Sequence, residues 1–258
     1  MGYALITGAS KGIGKAIAEE LASRKLNLLL VARSQALLES VSKEITDKYK
    51  VQVDYFSIDL SSPDAAQKVF NWCIEKKYSI EVLVNNAGYG LSGPFEKYTV
   101  AENTNMMQVN MMAPVQLCQL FLPVLKEQQK GYILNIASSA AYQAVPYLSV
   151  YAGTKSFVLS YSRGLRQELK KTNVSVTCIS PGATDTDFVV RAQIGEKGLK
   201  TAGKVNMSAN AVAKIAVESM LARKPEVITG FINKLGAFFV WLLPKSLVEK
   251  TAMKIYEE

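Results

Sequence analysis

Short, nearly unbroken apolar runs alternate along this chain with helix-length amphipathic segments. The runs fall at Tyr3–Thr7, Asn27–Ala32, Val51–Ile58, Val82–Asn85, Gly131–Ile136, Ser175–Ile179 and, more weakly, Glu226–Thr229. Between them lie Lys15–Arg24, Gln35–Lys48, Pro63–Lys77, Asn103–Gln128 and Ser156–Lys171, where apolar residues recur at helical spacing. Strands apolar on both faces belong to a parallel sheet covered on both sides, and the alternation itself is a series of βαβ units. The pattern predicts one α/β domain over 1–258, doubly wound, with about seven parallel strands and helices on both faces. No linker-like Pro/Gly/Ser stretch, internal repeat or low-complexity segment divides it. Ligands of such sheets bind beyond the carboxyl ends of the strands. The residues that directly follow each strand are therefore the ones to read for chemistry.

The first run leads into Thr7-Gly8-Ala9-Ser10-Lys11-Gly12-Ile13-Gly14 and then a helix from Lys15. Glycines at 8, 12 and 14 permit a tight turn and close backbone approach to a pyrophosphate. The helix start adds free N–H groups and the positive end of its dipole. The spacing is GxxxGxG, not the GxGxxG of the general dinucleotide fingerprint. The second strand ends in Arg33-Ser34 with no acid in reach. An acid at that point accepts from the ribose 2′-OH of NAD, whereas an arginine holds the 2′-phosphate of NADP, which a guanidinium contacts in bidentate fashion. Lys11 offers a second positive charge. The expected cofactor is NADP(H).

Composition narrows the chemistry. The chain has no histidine, so Ser-His-Asp triads, histidine-based zinc sites and histidine bases are excluded, and no metal site is expected. Cys73, Cys118 and Cys178 are far apart and without a CxxC pair; they read as core residues in a reducing compartment. The net charge of +8 comes from scattered lysines, which favours a solvated surface over nucleic-acid binding. Met1-Gly2 leads straight into the first apolar run, leaving no room for a secretory signal, and the longest apolar stretch, Leu235–Leu243, is too short to span a bilayer. The expected location is the cytoplasm.

Tyr151 and Lys155 stand four apart at the start of a predicted helix, which stacks them on one face. An ammonium one turn away, with the positive helix start, is expected to lower the pKa of the phenol and fit it for proton transfer. Ser138 ends the preceding strand, thirteen residues before Tyr151, and its hydroxyl can hydrogen-bond a substrate oxygen. Taken singly, these residues have plain alternatives: Asp59 as a helix cap, Asn86 as a turn residue, Asn110 as a tolerated helix asparagine.

Taken together they resemble the short-chain dehydrogenase/reductase family. The carriers are the TGxxxGxG loop at 7–14, Asp59-Leu60, Asn85-Asn86-Ala87-Gly88, Asn110, Ser138, Tyr151-x-x-x-Lys155 and Pro181-Gly182-Ala-Thr184-Asp-Thr186, in family order over roughly residues 3–190. The resemblance implies a Rossmann fold, a nicotinamide cofactor and a tetrad. Ser138 would orient a carbonyl and Tyr151 would act as acid or base. Lys155 would tune the tyrosine and hold the nicotinamide ribose, and Asn110 would hold a water linking Lys155 to solvent. Gly8, Ser10, Lys11, Gly12, Ile13, Gly14 and Arg33 would hold the phosphates. Asp59 and Leu60 would meet adenine, Asn86, Ala87 and Gly88 would line the adenosine side, and Pro181, Gly182, Thr184 and Thr186 would lie along the nicotinamide. It also implies pairing through the helices near 103–128 and 151–171, giving a homodimer or homotetramer.

The expected reaction is hydride transfer between nicotinamide and an apolar carbonyl or alcohol, in the direction of reduction. The substrate would be a bulky or long-chain ketone, an aldehyde or a 3-ketoacyl compound. A mobile lid is expected over 187–207, where Phe188, Val189, Val190, Ile194 and Leu199 mix with glycines. The alternative is a non-catalytic NADP(H) sensor on the same fold, which would be expected to lack the tetrad. Many family members end soon after the seventh strand, and this chain continues through an apolar and amphipathic extension, 231–258. The two Phe and one Trp of its Leu235–Leu243 stretch need cover. Packing on a subunit or over the substrate pocket is the expectation, ahead of contact with a membrane surface.

Overall fold

The computed structural model describes residues 2–186, 188–193, 195, 198, 203 and 206–256. Its first half runs β1 (Tyr3–Thr7), α1 (Gly12–Ser23), β2 (Asn27–Ala32), α2 (Gln35–Tyr49), β3 (Val53–Ser57), α3 (Ala65–Glu75), β4 (Ile80–Asn85), α4 (Val100–Met107) and α5 (Ala113–Glu127). The second half runs β5 (Gly131–Ile136), α6 (Ser149–Glu168), β6 (Val174–Ser180), β7 (Thr184–Asp185), α7 (Phe188–Arg191), β8 (Met207–Ser208), α8 (Ala209–Leu221), β9 (Glu226–Ile228), α9 (Phe231–Leu242) and α10 (Lys245–Tyr256). Seven strands form one parallel sheet in the order β3-β2-β1-β4-β5-β6-β9, as the alternation predicts, and β7 pairs with β8 apart from it. The strand order reverses between β1 and β4, and a crevice opens at their carboxyl ends.

Two apolar layers flank the sheet. One joins Ile17 and Leu21 of α1, Leu38 and Ile45 of α2, and Val217 and Met220 of α8; the other joins Val69 of α3 with Leu117 and Phe121 of α5. The five central strands thus bury both faces, the reason their runs read as continuous, whereas the edge strands β3 and β9 are only partly covered. The three cysteines are buried and unpaired, as expected. Ser208 caps α8, its hydroxyl accepting from the Ala211 amide at 3.2 Å.

The long helix expected over 103–128 is instead two. Its start is earlier, at Val100, because Thr99 and Glu102 form a reciprocal capping box. It then loosens into a π turn at Gln108–Met112 before α5. Pro114 explains the break, since it lacks the N–H that would bond the carbonyl of Asn110 four residues back. A π turn of this kind is common at functional sites, and Asn110 lies within it.

Candidate active site

The first β-strand delivers the chain to its glycine turn. Gly8 and Gly12 adopt φ of 66° and 58°, a region where a side chain is strained. A Cβ at Gly14 would overlap the Gly8 carbonyl, and one at Gly8 would lie 2.8 Å from Asn86 Nδ2. Asn86 reaches across from the end of β4, donating to the carbonyls of Thr7 (3.0 Å) and Gly8 (3.2 Å). Thr7 Oγ1 answers by accepting from the amides of Asn86 and Ala87. The two strand ends are thereby stitched together. Asn86→Ala removes a donor from two turn carbonyls and is expected to cost about 1–3 kcal/mol. Urea unfolding of the variant would measure it, and an unchanged midpoint would contradict this role.

A cavity of about 490 Å³ lies over these strand ends. Gly8, Ser10, Lys11, Gly12, Ile13 and Gly14 form its floor at the start of α1, where Lys11 makes no side-chain cap and no acid stands in the first turn. The amides at this helix start therefore face the cavity as an anion site. Arg33, Asp59 and Leu60 line one end. Arg33 is 3.9 Å from Asp59, whose other oxygen accepts from the Ser61 amide at 3.0 Å. The plain reading of Asp59 as a helix cap does not hold, since α3 begins at Ala65 with Asp64 at its N-cap; Asp59 instead holds a local turn. Ala87 and Gly88 of β4's loop, and Pro181, Gly182, Thr184 and Thr186 beyond β6, line the middle and far side. The glycine floor, the bare helix start and an exposed guanidinium fit a dinucleotide with phosphates along α1.

Ser138, Tyr151 and Lys155 meet at the inner wall. Ser138 Oγ accepts from the Ala140 amide at 3.1 Å and hydrogen-bonds the Tyr151 phenol. Lys155 Nζ donates to the Ile136 carbonyl at 2.9 Å and lies 5.8 Å from the centre of the Tyr151 ring. A buried chain of amides holds this geometry: Asn85 donates to Asn135 at 2.8 Å, and Asn135 to Ser162 of α6 at 2.9 Å. Asn110 stands behind the wall, not in it. It is 1% exposed, and its amide grips both backbone groups of Tyr89 and the Thr154 hydroxyl. A Cβ at Gly88 would come within 3.1 Å of Asn110 Oδ1 and 3.3 Å of Lys155 Nζ. Only glycine at 88 leaves those two groups room to face one another.

The electrostatics correct one expectation. Burial pushes the Tyr151 phenol up to about 12, with the Ser138 hydrogen bond pulling down and Tyr256 adding to the rise. The neighbouring ammonium does not bring it below its ordinary value. The cause is the same burial, which holds Lys155 itself down at about 8.

Three further wall residues were not singled out from the sequence. Arg191 of α7 stacks its guanidinium 4.2 Å over the Tyr89 ring and faces the cavity. Burial and the like charge of Arg33 both lower its pKa. Tyr256, at the end of α10, lines the cavity and packs with Val145, Leu148 and Tyr151. Tyr89 alone was findable, since it follows the Asn85–Gly88 motif directly. Phe188 of the expected lid stands 5.2 Å from Tyr151 ring to ring, whereas Asp187, Ile194 and Leu199 lie outside the described residues.

A family model described as short chain dehydrogenase matches residues 2–197. The very-long-chain 3-oxoacyl-CoA reductase-B of Danio rerio is 39% identical over 218 residues, covering 77% of this chain and 70% of that protein. The very-long-chain 3-oxoacyl-CoA reductase of Bos taurus is 37% identical over 183 residues, 69% of this chain and only 58% of its own length. Among solved structures, a short-chain dehydrogenase from Sphingobium yanoikuyae in complex with NADPH superposes with a TM-score of 0.82 at 30% identity, over 92% of each chain. Fold, site and relatives agree: this chain is an oxidoreductase of the short-chain dehydrogenase/reductase family.

Proposed function

We propose that the enzyme uses NADP(H) to interconvert an apolar carbonyl compound and its alcohol, working as a reductase on a long-chain or bulky 3-ketoacyl compound, ketone or aldehyde. The observation that carries the reading is the convergence of Ser138, Tyr151 and Lys155 in the cavity that also holds the glycine turn and Arg33. The name of the Danio rerio relative favours a 3-oxoacyl substrate. So do the apolar walls that Val109, Leu148, Phe188 and Tyr256 supply.

The bound nicotinamide would supply the hydride. Everything else falls to side chains. Ser138 donates a hydrogen bond to the substrate oxygen and fixes the carbonyl. Tyr151 delivers its phenolic proton to that oxygen as charge develops. Lys155 offsets the phenolate so formed and holds the ribose. Asn110, meeting Lys155 across Gly88, would open the path by which that proton is replaced from solvent. The amides of Gly12 to Gly14 take the pyrophosphate, and Arg33 takes the 2′-phosphate.

Turnover is followed by nucleotide absorbance at 340 nm with NADPH and NADH in parallel, against 3-oxoacyl thioesters of increasing chain length. Faster reaction with NADPH and with longer chains supports the reading; absence of binding by either nucleotide defeats it. Arg33→Asp is expected to lower kcat/KM for NADPH about 10- to 100-fold, the worth of a lost charged hydrogen bond. The value for NADH should hold or rise. Equal losses with both nucleotides would move the phosphate contact away from Arg33.

A further inference from the structure

Helix α9 is built inside out. Its half-buried residues are Asn233, Ala237 and Val240, and with them it packs on the 3₁₀ turn Ser139–Tyr142. Asn233 there donates to the Thr229 carbonyl at 2.8 Å. The opposite face carries Phe231, Ile232, Leu235, Phe238, Phe239 and Leu242, each between 43% and 78% exposed. Their spacings of one, three and four place them in a single helical stripe. The small and polar residues thus face the protein, and the large apolar ones face away from it. Nothing in the described part of the chain covers that stripe, and α9 does not lie over the cavity, which among the described residues of the extension only Tyr256 reaches.

The borders of the stripe identify what it meets. Lys234 and Trp241, the latter 78% exposed, flank it on one side. An ammonium that snorkels and an indole with one polar edge suit the boundary between headgroups and acyl chains. On α10 the exposed face carries Leu247, Lys250 and Lys254, with Lys245 at the helix start, while Glu249 is the one acid among the described residues of α9 and α10. The glutamates that end the chain lie outside those residues. Two copies paired through this face would bring matching lysines together, at a cost. A sheet of anionic headgroups would take them with gain. No described helix is long and apolar enough to cross a membrane, so the mode is lying on the surface.

We infer that the outer face of α9, with the lysines of α10, docks this enzyme on an anionic lipid surface. The inner face of α10 leads from there to the reaction. Ala252 is buried beneath the helix, and Tyr256 ends it beside Tyr151 in the catalytic cavity. On the reading of an apolar carbonyl substrate, the docked face and the mouth of the site would draw on one lipid-dissolved pool; the docking itself does not depend on that reading.

The test is co-sedimentation of the full chain with extruded vesicles, one set of phosphatidylcholine alone and one containing about a third phosphatidylglycerol. Wild type should partition at least about tenfold more strongly onto the anionic set, and less as salt rises. Phe238→Glu with Trp241→Glu should lower partition at least about tenfold. Lys250→Glu with Lys254→Glu should abolish the preference for anionic lipid. All four positions are exposed, so circular dichroism and thermal midpoints should match wild type, and turnover of a short water-soluble ketone should be unchanged. Failure of wild type to bind either set overturns the proposal, and equal binding to both overturns its anionic part. A wild-type dimer by light scattering that the Phe238/Trp241 variant dissolves, with no vesicle binding, would assign the face to a second copy instead. Vesicle binding with no turnover of any carbonyl would count against the reaction and leave the docking standing.

Discussion

Tyr151→Phe is expected to lower kcat about 10³-fold while leaving nucleotide affinity and thermal stability nearly unchanged. The change removes one oxygen. The ring is 7% exposed and packs against Phe188 and the cluster of Val145, Leu148 and Tyr256, and phenylalanine keeps all of that contact. What disappears is the proton that meets the forming alkoxide, and a 10³-fold loss corresponds to about 4 kcal/mol of transition-state stabilisation. The phenol, held up at about 12, remains protonated throughout the neutral range. Carbonyl reduction, which consumes that proton, should therefore be nearly independent of pH between 6 and 7.5 in order of magnitude. Alcohol oxidation needs the phenolate and should climb with pH. Steady-state rates in both directions, for wild type and variant, read the claim. A variant that loses affinity for nucleotide and keeps kcat would assign Tyr151 to binding.

The fold was legible because the central strands bury both faces, so each reads as an apolar run whatever its neighbours are. The edges were less so. Residues 51 and 52 looked like strand, yet β3 begins at Val53, because the side chains that decide where pairing starts belong to β2. The break at Gln108–Met112 was written in Pro114, but helical periodicity continues through it and hides the extra residue. Most of the site was readable for a similar reason. The glycine turn, Arg33, Asn86, Ser138, Tyr151 and Lys155 stand directly after strands or in the first turns of a helix, where chain order and position in space coincide. Arg191 and Tyr256 reach the cavity from α7 and α10, and their arrival depends on long-range packing that no local pattern encodes. The sign of the shift at Tyr151 was missed on the same ground. Spacing of four reveals the ammonium, while the burial that outweighs it is built in part by Phe188 and Tyr256, far along the chain.

Lys155→Met should abolish most turnover and at the same time make the protein more stable relative to wild type at neutral pH than at alkaline pH. Burial lowers the Lys155 pKa from its ordinary 10.5 to about 8. Between those values the unfolded chain binds a proton that the native protein has released, so wild-type stability rises with pH across this window. Below pH 8 the full penalty of a buried ammonium is present, on the order of 3 kcal/mol. Methionine fills similar space and carries no charge, so the penalty vanishes. The Ile136 carbonyl loses its donor in the exchange, which costs about 1–3 kcal/mol at every pH. The absolute stabilities can therefore nearly cancel at pH 7, but the difference between variant and wild type should move by about 3 kcal/mol toward wild type as pH rises from 7 to 10.5. Urea unfolding at a series of pH values measures this. A difference that stays flat would mean that Lys155 keeps its ordinary proton affinity in the folded protein, through contacts that compensate its burial. A stabilised and inactive variant would show instead that the fold tolerates this strained cation for the sake of the proton transfer at Tyr151.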